Sequence, residues 1–199
     1  VLADRPDWPA WAFRLIDDWI DQNPSSRNDA WDSFNCAIRL LNWIKLLHDA
    51  PLESFPDEEH WENILHSIHL QLHRVHRGHS YEVPGNHVII ELFSLWLTSS
   101  LFTDIKEASE WKTLADERFT AEIDAQFLTS GFHCEHSVHY HAQVTLLALF
   151  WLCSKEAQGT PVAGALRQKI HHSCRQILRF VLPDGSVALL GDGCYPFFH

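Results

Sequence analysis

Basic residues are scarce in this chain: 15 Lys and Arg stand against 26 Asp and Glu, a formal charge of −11 at pH 7. A nucleic-acid binder concentrates Lys and Arg on one face to meet phosphates, so that class is excluded first. The same deficit means that any anionic ligand needs a local positive pocket against the global field. Cysteine supplies no framework either. Cys36, Cys134, Cys153, Cys174 and Cys194 are scattered, odd in number and without CxxC spacing, which reads as free thiols. No apolar run reaches membrane-spanning length, and the longest, around Val144–Cys153, reads as a buried helix. GxSxG, the P-loop, GxGxxG, the EF-hand loop and HExxH are all missing, as is a Cys/His pair set up as nucleophile and base. There is no signal peptide and no initiator Met, and the chain stops at Phe197-Phe198-His199. A piece of a longer protein is expected.

What is present points to a helical domain. At 199 residues the chain can bury a real core within one domain, and 46% apolar with 21% charged residues is ordinary globular composition. Trp8, Trp11, Ile16, Trp19 and Ile20 recur at helical spacing over 7–22. A second helix is expected from Asp29, as N-cap, to about His48, and a third from the acidic Asp57-Glu58-Glu59 to about His79. Pro84-Gly85 makes a turn before a fourth helix from Asn86 to about Leu101; further helices are expected at 105–129, 134–156 and 162–181. Only the tail differs. Pro183-Asp184-Gly185 and Gly191-Asp192-Gly193 are turns around a strand-like Ser186–Leu190. Helices recurring every 23–28 residues without a repeated signature fit a bundle, a solenoid or hairpins closing into an α/α toroid.

The chemistry gathers in a few places. Gly85-Asn86-His87 opens a helix, where Asn is a favoured cap; the alternative is an anion-binding corner of helix N-terminus, amide and imidazole. In 126–144, His133, His136, Tyr140 and Gln143 fall on one face along the sixth helix at spacings of three and four, with Glu135 and His139 an i,i+4 pair elsewhere on its surface. These are either solvated positions or a Tyr tuned by imidazoles to act as a base. His66, His69, His73 and His76 flank the apolar stripe of the third helix; His69 and His73 have zinc-pair spacing but no third ligand, so no metal is expected. Arg39 and Asn42 lie one turn apart beside Trp43, lining a sugar cleft or an outer patch. Nine Trp residues supply faces on which sugar rings stack, as well as core.

Together these segments resemble a known family. Arg39-xx-Asn42-Trp43, then Gly85-Asn86-His87, then Gln126 followed by Gly131-Phe-His-x-Glu135-x-Ser137-xx-Tyr140-His141 is similar to the N-terminal domain of the heparinase II/III polysaccharide lyases. The 54 residues from Asn86 to Tyr140 keep the blocks in the family's order, and Pro183-Asp184-Gly185…Leu190-Gly191-Asp192 resembles its passage into a β-sandwich. Where the family has Asp-Gly ahead of the second block, this chain has Ser130-Gly131. The resemblance implies an all-α, incomplete (α/α) toroid over 1–182 and the beginning of a linker and β-sandwich domain over 183–199.

It also implies β-elimination on a uronic-acid polysaccharide or oligosaccharide by a periplasmic or secreted bacterial enzyme, without cofactor, metal or membrane. Asn86 and His87 would neutralise the uronate carboxylate, Tyr140 would take the C5 proton, and His141, Glu135, Arg39 and Asn42 would bind substrate or orient these groups. The family's additional catalytic histidine belongs to the β-sandwich, the expected partner domain. A non-catalytic glycan-binding or structural toroid, and a glycoside hydrolase on a similar toroid, are the competing readings.

Overall fold

The computed structural model describes residues 7–24, 29–78, 85–188 and 190–193. Ser25-Ser26, His79, Pro84, Leu189, Cys194 and the closing Phe197-Phe198-His199 lie outside the described residues. The described chain carries α1 (Trp8–Gln22), α2 (Ser33–Asp49), α3 (Glu58–Gly78), α4 (Asn86–Leu101), α5 (Ala108–Gln126), α6 (Val138–Ala157) and α7 (Gly164–Ile177). No strand is formed among the described residues; Val181 and Val187 meet in one isolated antiparallel bridge where the strand-like tail is expected.

Local chemistry sets where these helices start. Pro9 occupies the first turn of α1, where its missing N–H costs nothing. Asp57 accepts from the His60 N–H at 3.1 Å at the head of α3. The second helix does not start at Asp29. Asp29–Trp31 forms a 3-10 turn closed by the Asp32 N–H on the Asp29 carbonyl at 3.1 Å, and Asp32 is the cap, accepting from the Phe34 N–H at 3.0 Å. The sixth helix is also shorter than expected, starting at Val138 behind an N-cap Ser137 that accepts from the Tyr140 N–H at 3.1 Å. His133, Glu135 and His136 therefore precede the helix, so the shared face and the Glu135–His139 pair expected from spacing do not exist. Gly131 at φ +82° and His136 at φ +56° break the helical path.

Backbone contacts divide the chain into two compact units. One takes the chain before residue 80 together with Ser94–Thr113. Its core is the apolar stripe of α3 (Ile64, Ile68, Leu72, Val75) with Cys36, Ala37 and Leu40 of α2, all 0–1% exposed. The other takes the stretch up to Phe93 and everything from Leu114 onward. Here Phe119 lies 5.9 Å from Phe93 and 5.8 Å from Trp151 between ring centres, and Asp116 ties down Trp151 Nε1 at 2.8 Å and Lys155 Nζ at 2.6 Å. Helix α4 is buried on nearly every side, which its unbroken Val88–Phe93 run requires apart from Glu91.

Candidate active site

The head of α4 holds a carboxylate, and the carboxylate is the protein's own. Glu135 Oε1 accepts from the Asn86 backbone N–H at 2.5 Å, and Asn86 Nδ2 donates to Oε1 at 3.1 Å and Oε2 at 2.9 Å. Asn86 is therefore not a cap for its own helix; an acid 49 residues away closes that end, where the orphan N–H groups and the helix dipole favour negative charge. Gly85 makes the approach possible, because a Cβ there would stand 2.7 Å from Glu135 Oε1. Asn86 is 6% exposed, and His87 beside it is exposed.

Glu135 is presented by a short segment, 127–137, whose conformation two buried histidines fix. Gln126 Nε2 donates to Glu122 at 2.7 Å, leaving Gln126 Oε1 to accept from His133 Nε2 at 2.8 Å. His133 N–H donates to His141 Nδ1 at 3.2 Å, so the His141 proton sits on Nε2, which faces the Ser173 carbonyl at 3.1 Å. The His141 ring stacks on Phe132 with centres 4.2 Å apart. His141, expected to bind substrate, is 0% exposed and fully engaged in this scaffold. Sequence reading passes over Glu122, whose i,i+4 spacing to Gln126 was the available signal, and the Ser173 carbonyl has no sequence signal at all.

Both rings are held neutral. Burial pushes His141 down to about 4, against the pull of the Ser173 carbonyl, and burial lowers His133 as well. A histidine whose folded pKa lies below its unfolded value of 6.5 contributes stability that is complete above 6.5. That contribution is lost as pH falls, the loss accruing down to about 4 and then levelling. For His141 it amounts to about 3 kcal/mol. Thermal melts should drop in midpoint between pH 6.5 and 4.5, and an NMR titration should show His141 still neutral at pH 5; a protonated ring there would refute this account. The same segment depends on Gly131. At φ +82°, with a Cβ falling 2.3 Å from His172 Cδ2, Gly131→Ala should lower stability by about 2 kcal/mol or more, read as a fall in melting temperature.

Tyr140 stands in the first turn of α6, half-buried, its ring edge-on to His139 at 5.6 Å. The start of that helix is anchored from far along the chain. Val138 N–H donates to the Leu190 carbonyl at 3.0 Å, and the Ser137 hydroxyl donates to the Asp192 carbonyl. Gly191 lies so close that a Cβ would meet the His136 carbonyl oxygen at 3.1 Å. The structure thus joins Asn86 and Glu135 directly, and Tyr140 follows Glu135 by five residues in the same unit.

Arg39 and Asn42 belong to the other unit. Arg39 lies 3.8 Å over the Trp19 ring and donates to Gln71 Oε1 at 2.8 Å and the Ala30 carbonyl at 2.9 Å, which makes it a packed structural cation. Asn42 is exposed and shares a groove of about 670 Å³ with Trp8, Trp11, Lys45 and Asp49. His69, His73 and His76 surround Trp111, with ring centres 5.6–6.3 Å away, and His69 pairs with Glu107 at 3.5 Å. No group of three or more His, Cys, Asp or Glu is arranged to hold a metal among the described residues. No described helix is long and apolar enough to cross a membrane.

Comparison with known proteins supplies the context. Residues 7–195 match the domain described as Heparinase II/III N-terminus. A heparin-sulfate lyase of Bacteroides thetaiotaomicron is 25% identical over 187 residues, covering 92% of this chain and 26% of that protein. The chain therefore spans about a quarter of the length of this curated relative. Heparinase III superimposes with a TM-score of 0.71 at 18% identity, covering 91% of this chain and 28% of the other. A heparan sulfate lyase from Pedobacter heparinus gives 0.65 at 18% identity, covering 92% and 30%. At this identity the likeness is one of fold, the all-α arrangement expected for an incomplete (α/α) toroid. With a family match running through all of its described residues, the chain belongs to the heparinase II/III family as its N-terminal helical domain.

Proposed function

We propose that the protein carrying this domain is a polysaccharide lyase that cleaves uronic-acid glycans by β-elimination, with Asn86 and His87 as the carboxylate corner and Tyr140 as the general base. The observation that carries this reading is that Asn86 already holds a carboxylate, through its backbone N–H at 2.5 Å and its side-chain amide at 2.9 and 3.1 Å. A helix N-terminus of this kind has the chemistry to meet a uronate through the amide hydrogen that Glu135 leaves over.

The chemistry needs such a corner. The C5 proton of a uronate is too weakly acidic to remove while the adjacent carboxylate keeps its full negative charge. Hydrogen bonds from Asn86 and His87 offset that charge and stabilise the enolate that develops. The Tyr140 phenolate oxygen takes the C5 proton and becomes the phenol, the released electron pair forms the C4–C5 double bond, and the C4–O4 bond breaks. The leaving O4 is protonated by Tyr140 or by a histidine. His141 and Glu135 act by positioning: His141 fixes the segment that presents Glu135, and Glu135 holds Asn86.

Uronate glycans of the heparan type are the substrate class, in keeping with the names of the two relatives. The small number of Lys and Arg favours lightly sulfated chains. A C-terminal β-sandwich in the same protein completes the site, and a secreted or periplasmic location suits an external polymer. The test is incubation of the full-length protein with heparan sulfate, unsulfated heparosan, hyaluronan and alginate, reading ultraviolet absorbance of the unsaturated product. Absorbance growth on a uronate chain is expected. Binding without unsaturated product across the panel, or saturated product ends, would overturn the lyase reading.

A further inference from the structure

We propose that Glu135 is a positioning residue that makes the Asn86 corner selective for a free carboxylate over an esterified one; the proposal rests on the carboxylate-corner reading given above. The geometry of one nitrogen carries it. Asn86 Nδ2 lies 3.1 and 2.9 Å from the two oxygens of a single carboxylate. Those oxygens subtend about 40° at the nitrogen, whereas the two amide hydrogens diverge by about 120°. One hydrogen therefore serves both oxygens as a shared, three-centre bond, and the second points well away from Glu135. Glu135 thus fixes the amide plane with one N–H and aims the other.

Two further features make this a rigid aim. The backbone N–H of the same residue donates to Oε1 at 2.5 Å, so Glu135 grips Asn86 at main chain and side chain together. Gly85 leaves the room for it: a side chain there would press on Oε1 from 2.7 Å. Glu135 does not repel a second anion as a bare carboxylate would, because these donors and the positive end of α4 already balance its charge. An aimed N–H in a part-buried corner discriminates strongly, since a methyl ester carries no negative charge for it to meet.

The experiment uses full-length protein carrying Tyr140→Phe, so that bound chains are not consumed. Affinities are measured for a heparosan hexasaccharide with free uronates and for the same hexasaccharide fully methyl-esterified. The free acid should bind at least about tenfold more tightly than the ester. Adding Glu135→Ala should bring that ratio close to one, and Glu135→Gln, which keeps an acceptor oxygen, should retain most of it. Gly85→Ala, with its methyl against Oε1, should reproduce the Glu135→Ala ratio while Glu135 itself is unsubstituted.

A preference that persists in Glu135→Ala, or is absent before Glu135 is changed, overturns the proposal. A parallel loss of both affinities in both the Glu135→Ala and Gly85→Ala proteins shows a merely structural role and also overturns it. Failure of the lyase reading shows separately, as no unsaturated product from the unmodified protein, and leaves the affinity ratio to decide the role of Glu135.

Discussion

Tyr140→Phe is expected to slow formation of unsaturated product by about a thousandfold in the full-length protein, with substrate affinity changed little. The substitution deletes one oxygen from a half-buried ring in the first turn of α6 and leaves the Ser137 cap, a backbone interaction, intact. A structural role for Tyr140 would lower melting temperature and affinity together; the proposed role predicts loss in kcat alone. Retention of near-normal turnover by Tyr140→Phe would remove it as the base. Of the neighbouring histidines, His133 and His141 are buried and committed to hydrogen bonds of the scaffold, so neither is placed to take a substrate proton.

Asn86→Ala is the second large effect. It removes the aimed amide hydrogen and should lower kcat by about 10² to 10³, the range for losing one donor to developing negative charge. The backbone N–H to Glu135 survives, so the head of α4 should remain closed and the melting temperature should fall only modestly. Asn86→Asp should be as inactive and less stable, since it sets a second carboxylate against Glu135 at hydrogen-bond distance. The pair is measured by steady-state kinetics and thermal melts of the same preparations. Full activity in Asn86→Ala would leave the corner without a part in the reaction.

Much of the architecture is legible in the residues. The start of α4 at Asn86 follows from a turn and an apolar run, whereas the strand-like tail expected over Ser186–Leu190 forms only the Val181–Val187 bridge among the described residues. The candidate site is legible only in part. Asn86, His87 and Tyr140 stand out by type and order, but the bond between Asn86 and Glu135 joins residues 49 apart, and no period connects them. The spacing of His133, His136 and Tyr140 imitates a helix face because three- and four-residue steps also arise by chance in an irregular segment. Ser137, three residues ahead of Tyr140, carries the cap signal that places the boundary correctly. The burial of His141 is beyond local pattern altogether, since the groups around it come from Phe132, His133 and Ser173.

The tie between the tail and α6 has a consequence for exchange of protons with solvent. The amide of Val138 is covered by the Leu190 carbonyl, the Tyr140 amide by Ser137 Oγ, and that hydroxyl in turn by the Asp192 carbonyl. Lifting 190–192 uncovers the first of these and frees the hydroxyl that holds the second. Deuterium uptake at Val138 and Tyr140 should therefore rise in one shared opening, faster than in the middle of α6. Gly191→Val, which crowds the His136 and Ser137 backbone, should speed both amides by a similar factor. The turn that carries Tyr140 is thus only as settled as three residues lying fifty positions further along the chain.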